Sequence, residues 1–388
     1  MTQLNITLNF DDLKDAVLNS NMEAVLKSTI VILFNEIMEK ERDTYLQAAA
    51  YERSTERLDY RNGYYERDLV ISIGRISLKV PRTRNGEFSP SIFEKYARCD
   101  KALVLSMLEM VVNGVSTRKV TNVVEQLCGE NVSKSFVSSL TKKLDPVINE
   151  WANRPLNLTY YPFLFADAMY IKVREHNQVV SKAVYIATAI SEDNKREIIG
   201  MSIDHVESFE SWSRFFQHLK SRGIQSPKLV ISDAHQGLQK AIQREFIGTM
   251  WQRCNVHFKR NIMDKLPKKN SEEARFMIKR VFEAITIEDM RSFKEELFNK
   301  YSTIPQYEKA LQLFDEGFED TIQYMNFPPT IRKYIRSTNS LERLNQEVRR
   351  RETVIRIFPN TQSAFRLIGA VLKDYQEDNY AKRKSLTV

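Results

Sequence analysis

Phe163-Leu-Phe-Ala-Asp-Ala-Met-Tyr-Ile-Lys-Val173 is an apolar run with a single acid, Asp167, in its middle. Its composition predicts a buried strand, and a carboxylate there is costly unless it is paired or holds a cation. Val179–Ile190 and Glu197–Val206 predict two further strands, with turns at Asn177 and at Asp193-Asn194. Three strands at such short spacing suggest an antiparallel meander. Ser208–Gly223 follows as an amphipathic helix with Trp212, Phe215, Phe216 and Leu219 on its inward face. Lys228–Asp233 is another buried strand that ends in an acid, before a helix that opens around Gly237 and runs to Phe246. Met250–Phe258 reads as a fifth strand. This order of elements argues for an α/β fold with mixed pairing in one sheet.

Beyond the sheet, Pro267–Tyr324 carries a helical period and no strand pattern, so it reads as an all-helical insertion. Ser337–Glu352 then predicts a helix with Asn339 as N-cap and Leu341, Leu344 and Val348 on its apolar side. Glu342, Asn345, Gln346 and Arg349 share a neighbouring face, with Arg350 and Arg351 beside it. A last helix is expected over Gln362–Tyr380.

Toward the N-terminus, Asp11–Tyr51 looks helical, with Ile30, Leu33, Phe34, Ile37 and Met38 as an apolar stripe. Arg61–Tyr65 is expected as a turn, and Leu69–Ile73 with Ile76–Val80 as a hairpin about Gly74-Arg75. A second basic turn follows at Pro81–Gly86; Arg82 and Arg84 there are candidates for holding phosphates, against the alternative of an ordinary solvated hairpin. Lys101–Val112 predicts a helix, Ser116 caps a second one to Leu127, and Ser133 caps a third from Lys134 to Leu144. The last two match a helix-turn-helix whose second helix would present Lys134, Ser135, Ser138, Ser139, Lys142 and Lys143 to a major groove.

A net charge of +8 and a pI near 9.1 favour an anionic partner such as nucleic acid. With 42% hydrophobic and 28% charged residues the chain is globular, and no apolar run reaches the roughly 20 residues a bilayer span requires. Three scattered cysteines (Cys99, Cys128 and Cys254) and an N-terminus without signal architecture are read as an expectation of a reducing, cytoplasmic setting.

Asp167, Asp233 and Glu342 form the candidate site: one acid in a strand, one at a strand tip, one on a downstream helix. Carboxylates converging without a His/Cys cage select hard cations, Mg²⁺ or Mn²⁺. Two such ions would activate a water or a 3′-hydroxyl and stabilise the leaving oxygen of a phosphodiester. Each acid has a plainer alternative. Asp233 could cap the next helix, Asp167 could pair with a buried cation, and Glu342 could complete a capping box with Asn339.

Ile231-Ser-Asp-Ala-His-Gln-Gly237, Trp251-Gln-Arg-Cys-Asn-Val-His-Phe258 and Ser337–Arg351, with Arg61–Arg67 and Lys79–Arg84 upstream, resemble bacterial insertion-sequence transposases of the Mutator-like type. The resemblance covers nearly the whole chain. It implies a ribonuclease-H-like core with an Asp-Asp-Glu triad at Asp167, Asp233 and Glu342, interrupted by the helical insertion. It also implies terminal nicking and strand transfer through a circular intermediate, on terminal inverted repeats and target DNA. A homodimer is then expected, to bring two element ends together, with the Ile30–Met38 stripe as one candidate contact. No membrane and no nucleotide cofactor are expected, and the protein would associate with the nucleoid. Arg343, Arg349, Arg350 and Arg351 are read as phosphate clamps, with Lys134, Ser138 and Lys142 facing DNA from the second helix of the helix-turn-helix. Cys254 and His257 match the family's Cys-x2-His signature; shaping the pocket or holding DNA is favoured over zinc, which would need two more ligands. Trp251 could stack on a base or belong to the core, and His235 could meet a phosphate or make a local turn contact.

The resulting plan has segments 1–60 (helical, with a possible dimer contact), 61–100 (basic hairpin) and 101–155 (helix-turn-helix). The catalytic core follows as 156–265 and 335–388, split by the helical insertion 266–334. Two other readings compete: a regulator that binds DNA without cutting it, and a structure-specific nuclease that never joins ends.

Overall fold

The computed structural model describes residues 22–53, 55–71, 73–93, 101–128 and 132–381. The chain divides into two compact units, Met1–Lys142 and Lys143–Val388.

In the first unit, helix α1 (Met22–Leu46) packs on a two-stranded antiparallel sheet, β1 (Arg61–Ile71) and β2 (Gly74–Thr83). The part of the expected helix before residue 22 lies outside the described residues. Arg61–Tyr65, expected as a turn, is strand: a bulge between Arg61 and Tyr64 absorbs the irregularity, with Gly63 at φ +68°, a conformation that glycine reaches without strain. The alternating burial of β2 turns Ile76, Leu78 and Val80 toward Met38, Leu69, Ile71 and Phe93, with Ile30 and Phe34 packed against the same cluster. Part of the apolar stripe of α1, Ile30, Phe34 and Met38, therefore packs on its own hairpin. Leu33 and Ile37, the other two residues of the stripe, are half-buried. Arg42 is buried and donates to the carbonyls of Gly63 and Arg82, fastening the helix to the open end of the hairpin.

Helices α2 (Lys101–Val112), α3 (Thr117–Cys128) and α4 (Lys134–Leu140) complete this unit. Ser116 and Ser133 cap the last two as expected, accepting from the backbone N–H of Lys119 and Phe136.

The second unit holds a five-stranded sheet of order β5-β4-β3-β6-β7. Strands β3 (Phe163–Glu175), β4 (Gln178–Ile190) and β5 (Arg196–Asp204) form the antiparallel meander. Strands β6 (Leu229–Ser232) and β7 (Met250–Arg253) run parallel to β3, each reached through a helix. On one face Leu164, Ala166, Tyr185 and Ala187 pack against Trp212, Phe215 and Phe216 of α6 (Phe209–Ser221) and Leu238 and Ile242 of α7 (Gln236–Glu245). Small residues on the strands and aromatic ones on the helix interlock there, as close packing requires.

The expected fifth strand stops at Arg253. From Asn255 the chain is helix α8 (Asn255–Lys265), followed by α9 (Glu272–Glu283), α10 (Ile287–Tyr301) and α11 (Glu308–Thr321), which form the all-helical insertion. Gln252 ties it to the sheet, donating to the carbonyl of Thr321 at 2.6 Å and accepting from the N–H of Tyr324 at 2.8 Å. After α12 (Pro329–Ile335) come α13 (Asn339–Ile355) and α14 (Thr361–Tyr375). Between these two, Phe358 pairs with β3, donating to the carbonyl of Lys172 and accepting from the N–H of Arg174. Helix α5 (Asp145–Asn153) lies against α14, with Arg366 bonded to both oxygens of Asp145. The segment expected as 101–155 is thus divided between the two units.

Candidate functional site

The sheet itself brings Asp167 and Asp233 together. Phe163, Leu164 and Phe165 pair in parallel register with Leu229, Val230 and Ile231. Continued by two residues, that register sets Asp233, just past the end of β6, beside Asp167 on the neighbouring strand. Side chains alternate along β3, so Asp167 points away from the face that Ala166 gives to α6 and α7.

Helix α13 supplies the third acid. Its expected N-cap, Asn339, is already inside the helix, and the capping box with Glu342 does not form. Thr338 holds the cap position, with both its N–H (3.4 Å) and its hydroxyl (3.2 Å) directed at Cys254 Sγ. Glu342 is consequently available to the site: its Oε1 lies 2.7 Å from His257 Nε2. This is an ionic approach and not a hydrogen bond, because Oε1 has no hydrogen-bond partner.

His257 stands between two acids, with Nδ1 bonded to Asp233 Oδ1 and Nε2 facing Glu342. The bond to Asp233, then that to Cys254, pushes its pKa up to about 10, so the ring is an imidazolium at neutral pH. Cys254 is fully buried; against that burial, hydrogen bonds from His257 and Thr338 bring its thiol below the usual range. The Cys-x2-His spacing works because α8 begins between the two residues, so one helical turn presents both to the same place.

Asp167 is fixed from two sides. Its Oδ1 accepts from the N–H of Ala168 at 2.9 Å, and its Oδ2 from Asn345 Nδ2 at 2.7 Å. Burial, then the neighbouring charge of Asp233, raises its pKa to about 7. Glu207 adds a smaller push in the same direction. Nothing in the sequence marked Glu207. It stands immediately before the Ser208 cap of α6, accepting from Trp212 Nε1 at 3.0 Å. Thr338 was likewise hidden by the stronger capping propensity of Asn339.

The remaining candidates separate. Trp251 packs against the sheet–helix core and donates its indole N–H to Ser232 Oγ at 2.9 Å, the core alternative for that residue. His235 caps α7 through Nδ1 and the N–H of Leu238, a local contact; Gly237 beside it leaves no room for a Cβ, which would lie 2.8 Å from the backbone N of Phe209. Arg343, Arg349 and Arg350 are exposed, but Arg351 is buried and its guanidinium is bonded to Glu347. Arg351 therefore braces α13 instead of lying with the exposed arginines. In the first unit Arg84 is exposed, Arg82 is exposed and stacked on Tyr65 (4.6 Å to the ring centre), and Lys134, Ser138 and Lys142 are exposed on and just after α4.

Two donor sets could hold a cation. Asp233, Cys254 and His257 have ligand atoms within 4.8 Å of one another, a borderline-soft set. The thiol, however, is engaged by Thr338 and the imidazole by both acids. The harder set, Asp167, Asp233 and Glu342, has beside it one buried oxygen without a hydrogen-bond partner, Asn345 Oδ1. A buried amide oxygen without a partner, next to carboxylates, fits a hard divalent cation.

The acids thus gather where the parallel strands of the mixed sheet meet a helix that arrives after the helical segment α9–α11. The chain belongs to the Mutator family of transposases, whose family model matches residues 1–382. It is 51% identical over 385 residues to the transposase for insertion sequence element IS256 in transposon Tn4001 of Staphylococcus aureus, covering 99% of this chain and 98% of that protein. It is 39% identical over 362 residues to the transposase for insertion sequence element ISRM5 of Rhizobium meliloti (strain 1021), covering 93% and 90%. A third relative, the transposase for IS1081 of Mycobacterium tuberculosis (strain ATCC 25618 / H37Rv), is 34% identical over 364 residues, covering 93% and 87%.

Proposed function

We propose that the protein is a divalent-metal-dependent DNA transposase that nicks the ends of an insertion sequence and joins them to new DNA, with a circular intermediate between the two events. The observation that carries the reading is the linkage of three acids from distant parts of the chain by two side chains, His257 between Asp233 and Glu342, and Asn345 on Asp167. The strand order, an antiparallel meander extended by two parallel strands, supports a ribonuclease-H-like core.

Asp167, Asp233 and Glu342 would hold Mg²⁺ or Mn²⁺, two ions in all, which when bound activate the attacking oxygen and stabilise the leaving one. The chain's own groups prepare that site. His257 supplies the positive charge that lets Asp233 and Glu342 approach each other, and Cys254 with Thr338 fixes the ring. Arg343, Arg349 and Arg350 project from the same helix as Glu342 and would contact backbone phosphates.

Recognition of terminal inverted repeats belongs in this reading to the first unit. The α3–α4 pair is its helix-turn-helix, with Lys134, Ser138 and Lys142 toward the major groove and Arg82 and Arg84 on phosphates. A cleft of about 450 Å³ lined by Arg118, Asn122, Ser133 and Lys134 supports it. The protein acts as a homodimer on two ends, in the cytoplasm and on the nucleoid. Among the described residues no helix is long and apolar enough to cross a membrane.

The test is an assay of Asp167→Asn, Asp233→Asn and Glu342→Gln on DNA carrying the element end. Each variant should still bind the end in a mobility shift while neither nicking nor joining. Nicking equal to wild type by any one of them removes that residue from the site, and end binding without Mg²⁺-dependent nicking by the wild type favours the regulator reading.

A further inference from the structure

Asn345 is more than nine-tenths buried, one helical turn after Glu342, and its amide is used on one side alone. Nδ2 donates to Asp167 Oδ2 at 2.7 Å, while Oδ1 is buried without a hydrogen-bond partner. A buried amide oxygen left unpaired is costly, and native structures keep few of them. A leucine of similar volume would fill the same space without that cost. The amide is aligned by its own hydrogen bond: with Nδ2 on the carboxylate, Oδ1 can only take a donor or a cation that arrives beside Asp167. The donors described at the site are already committed. Ala168 N–H is on Asp167, and His257 is held by Asp233 and faces Glu342.

We infer that Asn345 is a fourth member of the cation-holding set, its nitrogen fixing Asp167 and its oxygen facing the bound ion or a water on that ion. The inference rests on the metal-site reading above and adds a neutral oxygen donor to its three carboxylates. Neutral amide oxygens commonly complete the shell of hard cations, and affinity follows the number and charge of the donors.

The experiment uses the full chain without DNA and reads Mn²⁺ occupancy by electron paramagnetic resonance, with melting in chelator as a check on folding. Wild type should show a saturable response that Asp167→Asn abolishes. Asn345→Leu should melt close to wild type yet need about tenfold more Mn²⁺ for half-occupancy. Asn345→Asp should melt lower in chelator, because a carboxylate then opposes Asp167, but reach half-occupancy at lower Mn²⁺ than wild type. If the amide served solely as a donor to Asp167, Asn345→Asp would weaken Mn²⁺ binding as Asn345→Leu does, and that result overturns the inference while leaving the metal site standing. Unchanged half-occupancy in Asn345→Leu overturns it equally. A wild type with no response that depends on Asp167 removes the metal-site reading and this inference together.

Discussion

Two carboxylate sites in the second unit make opposite use of their surroundings. Asp145, at the start of α5, is gripped by Arg366 of α14 through Nε at 2.6 Å and Nη2 at 2.8 Å, with both its oxygens engaged. Around Asp167, Asp233 and Glu342 the acids face one another, and a single imidazolium answers two of them. Bidentate Arg–carboxylate geometry satisfies both partners and leaves nothing for a ligand. The second arrangement leaves Asn345 Oδ1 without a partner and gives three acids one imidazolium. A satisfied carboxylate fastens helices; the group of acids around His257 is the site proposed above for the chemistry.

The comparison breaks first at the triad. Asp167→Asn is expected to lower nicking by about 10³-fold, several kcal/mol of lost transition-state stabilisation, while the metal-free protein melts at or above the wild-type temperature. A parallel loss of Tm would make Asp167 a second Asp145. Next comes Arg366→Ala, which strands Asp145 between α5 and α14. It should cost about 3 kcal/mol in urea unfolding, with nicking per folded molecule unchanged. His257→Asn keeps a polar group but cannot answer both acids, and nicking should fall about 10–100-fold with little change in end binding. Smallest is Thr338→Val, which removes one donor from Cys254. A loss of about 1 kcal/mol in stability is expected, with a few-fold fall in rate; an unchanged rate would separate the thiol from the positioning of His257.

Much of this was legible in the residues. The meander, the mixed pairing and the helical segment after the sheet follow from periods of two and of 3.6, and Asp167 stood out because an acid inside an apolar strand needs a reason. The errors lie where one position served two readings. Asn339 is the better cap by propensity, but Thr338 takes the position because its donors meet Cys254 across the fold. Met250–Phe258 looked like one strand because its hydrophobicity continues past Arg253, whereas the chain turns there into α8 and so places His257. Arg351 reads as part of an arginine run, yet the helix turns it inward to Glu347 while Arg349 and Arg350 stay outside. The stripe on α1 was visible as a stripe, but not that part of it packs on the hairpin.

By itself the sequence indicated most of the elements, the three candidate acids and the family, since local periodicity and motif spacing are properties of the chain read in order. Tertiary structure alone decided which donors meet those acids. Asn345 reaches Asp167 across 178 positions of sequence, and Thr338 reaches Cys254 across 84. A hydrogen bond depends on ångström distances and on direction, and neither is written into the spacing of residues that meet only when helices pack on a sheet.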